Sequence, residues 1–150
     1  MSQHQKENII SLISLLSVST IYFGYIYTGY MNRSFSSGEE LKYWAGAILA
    51  IIPIRIVLQI ILIIIFKIME AIVNQGKVSP DIKDERDKLI ELRGDNISGN
   101  FFVFCFVLSL VGVYYFSFNL SMMFIFIFIA GYISELLGII SKIYFYNKGF

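Results

Sequence analysis

Four stretches of the chain are almost continuously apolar, and the polar residues collect between them instead of alternating with them. The runs cover 8–30, 41–73, 100–116 and 122–146. A helix needs about 20 residues to cross a hydrocarbon core about 30 Å thick, so each run predicts a transmembrane helix. The first run lacks the small-residue cleavage pattern of a signal peptide and is read as a retained helix. The second is longer than a crossing requires, which predicts that its end projects into water near Lys67 and Glu70. Residues 31–40, with Gly38 and several serines and asparagines, form a polar turn, and Ser117 to Ser121 leaves room only for a tight turn. The fold class that follows is an all-α polytopic membrane protein, one four-helix domain over 1–150 with no internal repeat.

Residues 74–99 form the one long polar segment. It opens on Gly76 and a Ser79-Pro80 turn signal and continues as Asp81-Ile82-Lys83-Asp84-Glu85-Arg86-Asp87-Lys88-Leu89-Ile90-Glu91-Leu92-Arg93. Pro80 suits a helix start, and Lys83 with Asp87 and Asp84 with Lys88 are opposite charges at i, i+4. The segment predicts a short amphipathic helix between the second and third spans, with Ile82, Leu89 and Leu92 as its apolar edge.

Orientation follows from lysine and arginine, which are retained on the cytoplasmic side of short loops. Lys6, Lys67, Lys77, Lys83, Arg86, Lys88, Arg93, Lys142 and Lys148 fall on one side, and Arg33 and Lys42 on the other. Both termini are therefore expected in the cytoplasm. Tyr25, Tyr27, Tyr30, Tyr43, Trp44, Tyr114 and Tyr115 would form the outer interfacial belt, and Tyr144 and Tyr146 the inner one. Composition agrees: 57% of residues are hydrophobic, more than a soluble core can use. Richness in Ile, Phe, Lys and Asn suits an AT-rich bacterial genome, which makes the bacterial cytoplasmic (inner or plasma) membrane the expected location.

The same composition removes several functions. Net charge is +1 with no basic tract, which argues against nucleic acid. Cys105, the single cysteine, excludes disulfide frameworks and CxxC redox or metal arrangements, and lies between Phe104 and Phe106 as a small hydrophobe. His4 has no second histidine to make a metal site. No phosphate loop, G-x-S-x-G or H-E-x-x-H motif is present, so the expectation is a protein without catalytic residues, cofactor or metal.

Two residues in the apolar runs require a reason. Arg55 falls near the middle of the second run, where an arginine costs roughly 2.5–3.5 kcal/mol on insertion scales. Gln59 follows one turn on, Ala47 and Ile51 continue the stripe, and Pro53 should interrupt the ladder to the Leu49 carbonyl. Glu135 belongs to a stripe of small and polar residues, Gly131, Ser134, Glu135, Gly138 and Ser141, a face suited to close helix packing. Ser17, Thr20, Gly24 and Thr28 mark a comparable face on the first run. Counting from the outer ends brings Arg55 and Glu135 to similar depths, so an intramembrane cluster of Arg55, Gln59, Ser134 and Glu135 is predicted. An Arg55–Glu135 ion pair there would fix helix packing; the other readings are a proton- or cation-responsive Glu135 in a small transporter, or contact with a partner.

The loop has two readings of its own. Mixed charge is the signature of a solvated helix, or Asp84, Glu85, Arg86, Asp87, Lys88 and Arg93 dock a soluble protein partner. The segment from Asp84 to Asp95 resembles the loop of a broad set of bacterial four-helix membrane proteins that reads D-E-R-D or D-E-R-E followed by an apolar pair. Genes of that group often neighbour small helix-turn-helix regulators, so the resemblance implies a membrane-associated regulatory or stress-related role. Small multidrug exporters also have four helices, but they carry an essential carboxylate in the first, where this chain has none. The leading expectation is a regulatory, scaffolding or accessory membrane component acting through partners. The alternatives are a small ion-coupled transporter using Glu135 and an immunity protein against a membrane-active peptide. Besides the lipid bilayer, the partners expected are a protein at the loop and a second copy of the chain, since the small-residue faces exceed what internal contacts use.

Overall fold

The computed structural model describes the backbone of residues 3–73 and 84–148, and their side chains except at 3, 4, 37, 70 and 73. Among these residues the chain forms four helices: α1 (Gln3–Met31), α2 (Ser37–Val73), α3 (Glu85–Phe116) and α4 (Leu120–Lys148). Each is long and apolar enough to cross a membrane. The helices run up and down. One end of the bundle, here the terminal end, carries the start of α1, the end of α4 and the ends of α2 and α3 that flank 74–83; the other, the turn end, carries the two short connections.

Local chemistry sets the boundaries at the turn end. Ser36 precedes α2, and the Glu39 carboxylate accepts hydrogen bonds from its backbone N–H (3.2 Å) and hydroxyl (2.9 Å), so the Glu39 side chain reaches back and starts the helix ahead of the apolar run. In the second connection Ser117 takes the left-handed conformation (φ 54°), and the Phe118 N–H reaches the Gly112 carbonyl. Gly112 is required by that turn, because a Cβ there would lie 2.6 Å from the Phe118 ring. The Asn119 side chain accepts from the Met122 N–H at 2.8 Å, and α4 starts at Leu120, two residues earlier than the apolar run.

The separate amphipathic helix expected before the third span is not separate. Asp84 caps α3, whose N–H groups from Glu85 and Asp87 meet its carboxylate, while the Asp87 carboxylate returns to the Asp84 N–H at 3.1 Å. From that cap the helix continues unbroken to Phe116, so the charged residues are the first turns of a 32-residue helix. Asp87 therefore serves the cap, and Asp84 stands outside the helix as its N-cap. The Ser79-Pro80 turn, Ile82 and Lys83 lie outside the described residues. Pro53 is accommodated within α2, which spans 37 residues, about 55 Å at 1.5 Å per residue.

α4 is the central helix and packs against the other three, most extensively against α3. The reason is its small face: Ala130, Ser134 and Gly138 are buried. A Cβ on Gly138 would come within 3.0 Å of the Ser98 Cβ and 3.3 Å of the Gly94 carbonyl. Gly94 in turn carries the Lys142 methylenes, which a Cβ there would overlap. The comparable face expected on α1 behaves differently. Ser17, Thr20, Gly24 and Thr28 are exposed, with the Ser17 and Thr28 hydroxyls bonded back to their own helix, and α1 buries Leu15 and Ser19 instead.

At the turn end α1 and α2 are joined through aromatic side chains. Tyr30, Phe35, Tyr43 and Trp44 pack together with ring centroids 5.0–6.3 Å apart. The Tyr43 hydroxyl donates to the Ile26 carbonyl (2.7 Å) and Tyr22 to that of Ala47 (2.6 Å). Gly138→Val should destabilise the bundle by about 1–3 kcal/mol, since it forces α3 off α4. Thermal unfolding in detergent measures this, and Gly46→Ala, in open space on α2, should leave the transition unchanged.

Candidate functional site

Arg55 and Glu135 meet. Both terminal nitrogens of the guanidinium donate to the two carboxylate oxygens, giving a bidentate pair that ties α2 to α4. The stripe on α2 leads to it, with Ala47 and Ile51 buried and Gln59 beside the pair. Ser134, expected to support the pair, faces α3 instead: its hydroxyl donates to the Ser98 carbonyl at 2.6 Å and lies 2.9 Å from the Ser98 hydroxyl. Adjacent residues on a helix point about 100° apart, so Ser134 and Glu135 serve different neighbours.

The pair is not sealed. From Leu41, beside the Tyr43 and Trp44 rings, Arg55 is fourteen residues along α2, and Glu135 is fifteen along α4 from Leu120. At 1.5 Å per residue both lie about 22 Å from those positions, so the two charges stand at matched depth, near the middle of the candidate spans Gly38–Met69 and Leu120–Lys148. Of the side-chain surface, 26% of Arg55 and 39% of Glu135 remains accessible.

That accessibility opens on two cavities that share Arg55, Gln59 and Glu135. Toward the turn end, between α1, α2 and α4, lies an apolar space of about 500 Å³ lined by Ile48, Ile52, Ile56, Ile127, Phe128 and Tyr132, among others. Toward the terminal end lies a polar space of about 320 Å³ lined from all four helices, including Glu7, Ser11, Glu91, Asp95 and Lys142. Its wall holds four carboxylates, Glu7, Glu91, Asp95 and Glu135, and two cations, Arg55 and Lys142. Lys142 is paired with Asp95 at 2.7 Å.

The loop cluster divides in two. Asp84 and Asp87 build the cap, and Asp87 also accepts from the Tyr146 hydroxyl at 2.9 Å, fastening the start of α3 to the end of α4. Glu85, Arg86, Lys88 and Arg93 are exposed, together with Leu89 and Leu92 at 53% and 58%. The polar cavity was not foreseen, because it needs residues from four helices; its sequence signal was the placing of Glu7, Glu91 and Asp95 just outside the apolar runs, with Lys142 near the end of the fourth. Cys105 is buried, and the His4 side chain lies outside the described residues. No family model, curated protein or solved structure matches the chain.

Arg55→Ala and Glu135→Gln should each destabilise the fold by about 1–3 kcal/mol, below the penalty of a fully sealed pair, whereas Arg55→Met with Glu135→Met should recover most of the loss. Folded yield and unfolding midpoints of the four proteins form the cycle that measures this coupling.

Proposed function

We propose that the chain is a multi-pass protein of the bacterial cytoplasmic membrane, with both termini and residues 74–99 in the cytoplasm, and that it acts as a non-enzymatic regulatory, scaffolding or accessory component through partners. The observation that carries this reading is the division of the first turns of α3. Asp84 caps the helix and Asp87 also fastens it to Tyr146 of α4, while Glu85, Arg86 and Lys88 surround the exposed Leu89 and Leu92. At the polar terminal end, two exposed leucines within a ring of charge form a surface suited to a transient protein contact. The likeness to D-E-R-D loop proteins supports the same role. A second copy of the chain is also proposed as a partner, through the outward face of Ser17, Thr20, Gly24 and Thr28 on α1, where Gly24 has open space around it.

The Arg55–Glu135 site favours a second reading, a small ion-coupled transporter. An accessible carboxylate between a polar and an apolar cavity resembles the arrangement that marks ion pathways in membranes. The bidentate pairing counts against it, because both carboxylate oxygens are already engaged by Arg55. Immunity against a membrane-active peptide has no specific support in this geometry.

Leu89→Asp with Leu92→Asp should leave folding and membrane yield unchanged and remove a stoichiometric protein that crosslinks to the wild-type chain in native membranes. Retention of that partner by the double variant would refute the docking role. If transport is the function, proteoliposomes should show ion flux that Glu135→Gln abolishes.

A further inference from the structure

The two cavities that meet at the ion pair are unused by the partner-based reading. We infer that together they hold a neutral single-chain amphiphile drawn from the bilayer, with its chain in the apolar cavity and an uncharged, hydrogen-bonding head in the polar one. The inference needs the membrane placement of that reading but not its partner.

The polar side chains around the polar cavity fall into two groups. Every charged one is engaged: Arg55 with Glu135, Lys142 with Asp95, and Glu7 and Glu91 with partners of their own. A charged head would therefore enter without a free counter-ion, and neither sign of charge is favoured. Three uncharged groups are left over. The side-chain amides of Asn8 and Gln59 and the Ser11 hydroxyl line the same space, half-buried, and make no hydrogen bond among the described residues. Each amide offers two N–H donors and a carbonyl, and a hydroxyl both donates and accepts, so the three suit a head that does both.

Gln59 also lines the apolar cavity, which gives the two spaces a shared hydrogen-bonding group at their junction. Toward the turn end the lining becomes isoleucine and aromatic. Its volume of about 500 Å³ falls in the lower half of the roughly 300–1,000 Å³ of small-molecule pockets, which suits one chain and not a two-chain lipid. Ile52 and Ile56 in its wall are about half exposed on the outside of the bundle, so the space opens sideways to acyl chains.

The test uses the full chain in phosphatidylcholine nanodiscs, with empty nanodiscs as the partition blank. The probes share a decyl-length chain and differ in the head: monodecanoylglycerol is neutral with donors and acceptors, decanoate is anionic, and decyltrimethylammonium is cationic. Monodecanoylglycerol should bind saturably above the blank, and both charged probes about tenfold or more weakly. Gln59→Leu, which removes an unpartnered amide and leaves the ion pair intact, should weaken monodecanoylglycerol binding about tenfold. Ile52→Trp, which fills the apolar cavity, should do the same. The two variants act on different cavities, so each carries the test if the other does not fold. No saturable binding of monodecanoylglycerol, equal binding of either charged probe, or binding unaffected by either folded variant would overturn the inference.

Discussion

The close approach of α3 to α4 governs the arrangement of the whole bundle. Lipid offers no hydrogen bonds and little hydrophobic force between helices, so association rests on backbone proximity and matched polar groups. Gly138 against Ser98, Gly94 under Lys142, and Ser134 on the Ser98 carbonyl supply both. With one side of α4 committed to α3, Glu135 is turned toward α2, and Arg55 becomes its counter-ion.

The ion pair ties α2, whose contacts are otherwise spread thinly along a helix of about 55 Å, to the central helix. Because the two cavities meet at the pair, the same two residues hold the helices and remain partly accessible.

The D-E-R-D segment shows a similar economy. Its acidic ends, Asp84 and Asp87, form the cap of α3, and Asp87 also receives the Tyr146 hydroxyl from α4. The intervening Glu85 and Arg86 stay exposed. The same four residues thus give a long helix a firm start and leave two charged side chains exposed.

Much of the architecture was readable in the order of residues. Apolar runs too long and too pure for a soluble core determine the number of crossings, and Arg55 and Glu135 were conspicuous because ions in such runs are costly. The Ser36 and Asp84 helix starts were not read, although each has a carboxylate three residues on. Tertiary structure alone decided the rest. Whether Ser134 served the ion pair or α3, whether the small face of α1 or that of α4 turned inward, and where the cavities lay all depend on rotation and tilt of helices about one another. Periodicity places residues on a common face but does not say which neighbour that face meets. An up-and-down bundle with small residues on several helices admits more than one such pairing, and the Gly138–Ser98 contact is what selects among them.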